Sequence, residues 1–391
     1  MNATPSPDTV VRVPVDLFRS DAPEPRPGDW RLLGADCSYY TAKISAYLRY
    51  KRIPHANVLA TREIFTREIL PRVGWPVIPV LISPEGNTLQ DTSVMFDHLE
   101  ARYPAPATLP PDPAGRFLAY LLELVADEWL KVPALHYRWH YDADFAANEF
   151  GRNNDPRATP EKQREIGQRI AARFSGWTVP LGANPASFAA IETEYHRTLE
   201  LLDAHLAAQP YLLGAAPTLA DFALYGPLHA HLFRDPVSGQ VIKSGAPAVV
   251  DWICRMGTPP SAQLRPGAVD VNDTLVLLVR HWLRDYIPVL ISQSAALDAW
   301  LISEEAQEVP RELGTHSVVF GRGSTHEVRT TRRLFAYDQW MLQRVLAVYR
   351  DGGAGTRAEV KTLCEALGMT ALLRFPLTPR LERVHNQLRR R

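Results

Sequence analysis

The stretch Gly74–Glu100, GWPVIPVLISPEGNTLQDTSVMFDHLE, decides how the rest of the chain is read. It opens on an apolar run, Val77 to Ile82, with Pro79 inside it. The turn Pro84-Glu85-Gly86-Asn87 follows, then a short second run, and Asp91-Thr92-Ser93 introduces an apolar-periodic segment. That order reads as strand, turn, strand and helix start. Proline cannot donate to a sheet ladder, which puts Pro79 at the beginning of a strand or on an edge. A cis Ile78–Pro79 bond would turn the Ile78 backbone outward and leave its N–H and C=O for a ligand. Asp91 and Thr92 stand where free N–H groups and the positive end of the helix dipole attract a carboxylate. The plainer use of such residues is capping.

Upstream, Trp30 to Gly34 reads as a first strand. The segment ADCSYYTAKISAYLRYKRIPH, from Ala35, runs through a polar loop into a helix, and Pro54 opens another extended piece. This is a βαβ unit. The loop before its helix is where a hydroxyl or thiol would be activated, because a helix N-terminus stabilises an anion. Ser38 and Cys37 are the two candidates. The bland alternative makes Ser38 a helix cap and Cys37 a small buried apolar residue. Arg62, Arg67 and Arg72, in the polar stretch before the central segment, are exposed surface charges or carboxylate contacts.

Together these features resemble the glutathione S-transferase superfamily. In that family a thioredoxin-like domain carries a cis-proline after a short apolar residue, then a Glu/Gln/Asp-Ser pair opening a helix. The matching positions here are Ile78-Pro79 and Asp91-Thr92. The family's active loop reads Ser-Pro-Phe/Tyr or Cys-Pro-Phe/Tyr, with a basic residue five positions on. Counting back from Lys43 gives Ser38-Tyr39-Tyr40, with Tyr39 in place of the proline and Cys37 one position earlier. The resemblance covers about residues 30 to 260 and implies an α/β thioredoxin-like domain over 30–106, then an all-α domain over 107–260. A flexible arm, 1–29, precedes them, and a mostly helical extension with a small hairpin, 261–391, follows.

The implied function is conjugation of glutathione, as co-substrate, to a small hydrophobic electrophile. Ser38 would stabilise the thiolate. Ile78 and Pro79 would present a backbone edge to the cysteinyl unit, and Asp91 and Thr92 would hold the γ-glutamyl end. Two other readings stay open: a glutathione-dependent thiol oxidoreductase using Cys37, and a non-catalytic transferase-like binding or scaffold protein. The resemblance also implies a homodimer and a role in detoxification.

Beyond a proline-rich linker, PAPATLPPDPAG, the segment LLELVADEWLKVPALHYRWHY holds a dense polar-aromatic cluster, and Pro133 is expected to kink its helix. A similar run occurs in a bacterial branch of the superfamily with long C-terminal extensions. The resemblance makes Trp129, His136, Tyr137 and Arg138 the lining of the acceptor pocket; the structural alternative is a buried polar network. His136 and His140 share a helix face, but no third ligand and no HExxH pattern accompany them, so no metal is expected. Residues 145–185 read as irregular, and Ser187–Ala208 as an amphipathic helix. Thr218 and Asp221 form an S/T-x-x-D capping box with a folding role. The extension reads as helices Asp273–Ile287 and Gln293–Glu305, then a hairpin of HSVVF and THEVRT about Gly321-Arg322-Gly323, then a helix Tyr337–Tyr349 and two shorter helices. The tail Arg389-Arg390-Arg391 reads as solvated.

Lys and Arg total 43, as do Asp and Glu, so no global field points to nucleic acid or an anionic membrane. Three scattered cysteines, Cys37, Cys254 and Cys364, form neither a disulfide framework nor a zinc spacing and fit a reducing compartment. No signal-peptide pattern is visible near Met1, and charges interrupt the most apolar later stretch. The expectation is a cytoplasmic protein without a membrane span.

Overall fold

The computed structural model describes residues 16–23, 25–258, 264–303, 306–375, 381–384 and 386–391. Strands β1 (Trp30–Gly34), β2 (His55–Leu59), β3 (Val80–Ile82) and β4 (Thr88–Gln90) form one sheet in the order β2-β1-β3-β4. β1 and β2 run parallel across helix α1 (Tyr39–Tyr50), and β3 and β4 form the antiparallel half. Alternation along β3 splits its side chains between two faces. Leu81 joins the main core, while Val80 and Ile82 pack with Leu33, Ile69 and Val73 in a smaller cluster. Ile69 and Val73 belong to α2, a helical stretch of three consecutive pieces, Arg62–Ile64, Phe65–Ile69 and Leu70–Val73. This is the thioredoxin-like arrangement expected of an α/β unit.

The second region is helical. Its helices are α3 (Thr92–Arg102), which closes the first unit, α4 (Pro113–Leu124), α5 (Lys131–His140), α6 (Ala143–Asn154), α7 (Pro160–Phe174), α8 (Phe188–Ala208), α9 (Leu219–Pro227), α10 (Pro236–Gly245) and α11 (Pro247–Gly257). A π turn, Val125–Trp129, joins α4 to α5 ahead of Pro133. Such a turn shifts hydrogen bonding to i→i+5 and frees carbonyls. The phenols of Tyr39 and Tyr40 donate to two of them, Ala126 and Asp127. The capping box is in place: Asp221 Oδ2 accepts from Thr218 N–H at 2.9 Å, while Oδ1 takes Leu212 N–H at 2.9 Å and Trp252 Nε1 at 3.1 Å.

Three expectations are corrected. Residues 145–185 are not irregular; α6 and α7 form a helical hairpin there. Its lines of contact pass through glycine, since a Cβ on Gly167 would lie 1.9 Å from the Ala147 carbonyl oxygen and one on Gly151 1.9 Å from that of Gln163. The two helices expected from Asp273 are one, α12 (Asp273–Ser303), running through Pro288. Buried Tyr286, Val289, Leu290 and Gln293 keep one face in register across the proline. The tail is also structured: Arg389 and Arg390 lie in strand β8 (Gln387–Arg390), paired with β7 (Leu381–Val384). Arg389 bridges Glu308 at 2.9 Å, and Arg390 donates to the Leu301 carbonyl.

The expected hairpin is β5 (Glu312–Phe320) with β6 (Val328–Phe335), leading into α13 (Ala336–Arg350) and α14 (Ala354–Ala366). Of the arm 1–29, residues 1–15 lie outside the described residues. Leu17 and Phe18 donate their N–H groups to Asp36. Among the described residues no helix is long and apolar enough to cross a membrane.

Candidate functional site

A cavity of about 910 Å³ lies between the thioredoxin-like unit and the extension. One wall is local in sequence: Tyr40, Trp75, Val77, Ile78, Pro79, Gln90, Asp91 and Thr92. The Ile78–Pro79 peptide is cis, and among the described residues none hydrogen-bonds to the Ile78 N–H or C=O. Asp91 is the N-cap of α3, with φ at +80°. Its Oδ1 accepts from the N–H of Ser93 at 2.9 Å and of Val94 at 3.3 Å. Its Oδ2 accepts from the hydroxyl of Tyr337, a residue of α13. The four residues read as the glutathione cradle therefore meet on one surface.

Ser38 caps α1, its Oγ accepting from Thr41 N–H at 3.4 Å, and it is half-buried. Cys37 is buried, and its Sγ accepts from Asn153 Nδ2 at 3.3 Å. Burial pushes its thiol up, against the pull of the Arg138 cation. Arg62, Arg67 and Arg72 lie off the cavity: Arg67 pairs with Glu63, and Arg72 donates to the Gly86 carbonyl and Thr88.

Of the polar-aromatic segment, Glu128, Lys131 and Leu135 line the cavity, at helical spacing. Trp129, His136, Tyr137 and Arg138 occupy the other faces. Trp129 stacks on Tyr286 with ring centres 5.1 Å apart. His136 Nε2 meets Glu192 Oε1 at 2.8 Å, and Tyr137 packs on Tyr195. Arg138 forks onto Asp235 at 2.6 and 2.7 Å and donates to the carbonyls of Cys37 and Ala230. Their positions match the structural alternative of a buried polar network.

Beneath the site lies a charged network. Lys43 Nζ sits 2.7 Å from Glu123 Oε1 and 2.6 Å from Asp127 Oδ2, fully buried. Ser93 Oγ donates to Glu123 at 2.7 Å, and Arg344 of α13 reaches Glu123 at 2.6 Å and Asp97 at 2.9 Å. Burial would raise Glu123, but Arg344 and Lys43 hold it down to about 2. Burial pushes Asp127 up to about 7 against the pull of Lys43. Removing one member of such a network leaves an uncompensated buried charge, which costs about 3–5 kcal/mol. It ties α1, α3, α4 and α13 into one piece under the cavity.

The opposite wall comes from the extension: Trp300, Val309 to Glu312, Phe335, Tyr337, Arg383 and Leu388 among others. Sequence reasoning missed it because nothing local marks these residues as neighbours of Ile78. Trp75 and Tyr40 were within reach, the first beside the apolar run and the second inside the quoted triplet. Among the described residues no group of three or more His, Cys, Asp or Glu could hold a metal ion.

Residues 32–107 match the family model of the glutathione S-transferase N-terminal domain, and residues 185–254 that of the C-terminal domain. The chain belongs to the glutathione S-transferase superfamily. No curated protein matches the sequence of this transferase-superfamily chain. It is similar to solved structures of a glutathione S-transferase from Rhodospirillum rubrum (17% identity, 62% of this chain and 96% of that one, TM-score 0.40). It is also similar to one from Methylobacterium radiotolerans in complex with glutathione sulfonate (21%, 63% and 98%, TM-score 0.38). A third is the β-etherase LigF from a Sphingobium strain (18%, 59% and 96%, TM-score 0.44). Both family models end before Asp273, so α12 and all that follows lie outside them.

Proposed function

We propose that this chain conjugates glutathione to an electrophilic small molecule. The observation that carries the reading is the cis Ile78–Pro79 edge, its Ile78 backbone unpaired among the described residues, on the same cavity wall as Asp91. Ile78 would pair through its backbone with the cysteinyl unit of glutathione. Asp91 and Thr92, at the start of α3, would take the γ-glutamyl end. Ser38, at the start of α1, would donate its hydroxyl to the sulfur and favour the thiolate. The thiol then gives up its proton to solvent water, the sulfur bonds the electrophilic carbon, and the leaving group departs with the displaced electron pair. Holding both reactants in one cavity supplies the rest of the rate.

Cys37 fits a redox role less well, because its thiol is buried and held protonated. One observation favours the binding-module reading. The Tyr337 hydroxyl already engages Asp91, and Arg383 already holds the Gln90 carbonyl at 2.8 Å. Isothermal titration with glutathione separates the two, since a binding module without a glutathione site gives no heat at millimolar ligand. For the transferase, Ser38→Ala should lower kcat/KM with chlorodinitrobenzene by ten- to a hundredfold, about 2 kcal/mol, with little change in glutathione Kd. Cys37→Ser should leave that rate within about twofold. Unchanged activity in Ser38→Ala would remove Ser38 from the mechanism. The homodimer and a cytoplasmic detoxifying role follow from the family, and sedimentation velocity tests the first of these.

A further inference from the structure

The cavity's charged groups do not balance. Glu308 is paired with Arg389 at 2.9 Å, and Glu312 with Arg333 at 2.6 Å. Glu128 is paired with Lys131, and Asp91, bonded by the neutral donors of Ser93, Val94 and Tyr337, keeps its charge for the γ-glutamyl end of glutathione. Among the described residues two cations of the cavity wall have no carboxylate partner, and both come from the extension. The Arg311 guanidinium sits over the Trp75 ring, its Cζ 3.9 Å from the ring centre, and among the described residues no carboxylate pairs with it. Among the described residues Arg383 donates to neutral oxygens alone, the carbonyl and side-chain oxygen of Gln90. Burial and the charge of Arg383 both push Arg311 down, so the two cations feel each other. Like charges brought together in a partly desolvated place are unfavourable unless a counter-charge joins them. A guanidinium held over an indole still has N–H groups to give, and their fork matches a carboxylate in geometry. The space beside them is walled by Trp75, Phe174, Trp177, Trp300 and Phe335, which suits a flat apolar body.

We propose that Arg311 and Arg383 form a carboxylate subsite on the cavity wall beside Trp75 and Gln90, and that the aromatic walls next to it suit an apolar body carrying that carboxylate when it belongs to the acceptor. For that molecule to be the electrophile, the inference rests on the transferase reading; the subsite itself does not. One carboxylate could come from two sources, the acceptor or the glycyl end of glutathione.

The test uses the full chain and two matched pairs of probes. The first pair is para-phenylbenzoate and its neutral carboxamide. The second is glutathione and γ-glutamylcysteine, which lacks the glycyl carboxylate. Each is titrated calorimetrically into wild type, Arg311→Gln, Arg311→Lys and Arg383→Gln, with circular dichroism melts to establish folding. Wild type should prefer the charged member of at least one pair by about tenfold, and Arg311→Gln should bring that preference to within about twofold without weakening the other member. Arg311→Lys should retain part of it, because the charge remains and the fork does not. Discrimination in the first pair assigns the acceptor as the source of the carboxylate, and in the second pair the glycyl end. If neither pair discriminates in wild type, or if the preference survives both substitutions to glutamine, the subsite is overturned. If para-phenylbenzoate is preferred and glutathione gives no heat, the transferase reading falls and the subsite stands.

Discussion

Asp91 does two jobs that a single substitution can separate. As N-cap of α3 it satisfies two backbone N–H groups, and as a carboxylate it brings negative charge to the cavity wall. Asparagine caps about as well as aspartate. Asp91→Asn should therefore hold stability to within about 0.5 kcal/mol while weakening glutathione about tenfold, read by urea denaturation and calorimetry. An equal loss in both would reduce Asp91 to its cap. Ile78, Pro79, Asp91 and Thr92 were legible because they lie within fifteen residues and their geometry is set locally, by one proline and one helix start. Trp129, His136, Tyr137 and Arg138 were not. They came from the resemblance and from no local signal, and the cavity takes Glu128, Lys131 and Leu135 from the same segment, which begins in the π turn at Val125–Trp129.

At the scale of elements, the α6–α7 hairpin shows packing that an apolar pattern cannot reveal. In α7 the buried residue is Gly167, while the apolar Ile166 and Ile170 are only partly buried and most of the other residues are polar and exposed. What joins it to α6 is close backbone approach. Alanine favours helix over glycine by about 1 kcal/mol, so an isolated helix would gain from Gly167→Ala. Here the new methyl meets the Ala147 carbonyl oxygen, and the fold should lose about 1–3 kcal/mol in urea denaturation instead. A gain in stability would show that the helices separate freely.

The joint between α8 and α12 adds a pH-dependent element. His281 bonds Thr198 at 3.1 Å and stands 3.6 Å from Glu194. Burial and the charge of Arg284 lower it to about 4 from 6.5. A histidine depressed in the fold is protonated first in the unfolded chain. The stability tied to its neutral form is complete above 6.5 and is lost as pH falls towards about 4. The stability difference between wild type and His281→Gln, from urea midpoints, should therefore shift against wild type as pH is lowered through that window. A constant difference would mean that the ring does not titrate on unfolding.

For the whole molecule, the decisive contacts are those between residues farthest apart. Arg344 meets Glu123 across 221 positions, Tyr337 meets Asp91 across 246 and Arg383 meets Gln90 across 293. The outline of the extension, a hairpin followed by helices, was legible because β-branched runs and a Gly-rich turn are local signals. Its place over the cavity was not, since that depends on where three long loops close. The contact between Tyr337 and Asp91 makes the grip of α13 and any ammonium bound at Asp91 two claims on one carboxylate. Such claims are reciprocal: what loosens one tightens the other by the same free energy. Tyr337→Phe should then bind glutathione several-fold tighter by calorimetry, by about 1 kcal/mol, while backbone hydrogen exchange in residues 336–350 speeds up. A weaker complex would mean that the tyrosine helps hold the ligand. Under the first outcome the far end of the chain acts as a built-in competitor, and this protein's affinity for its small molecule is adjusted by how firmly its own C-terminal third is docked.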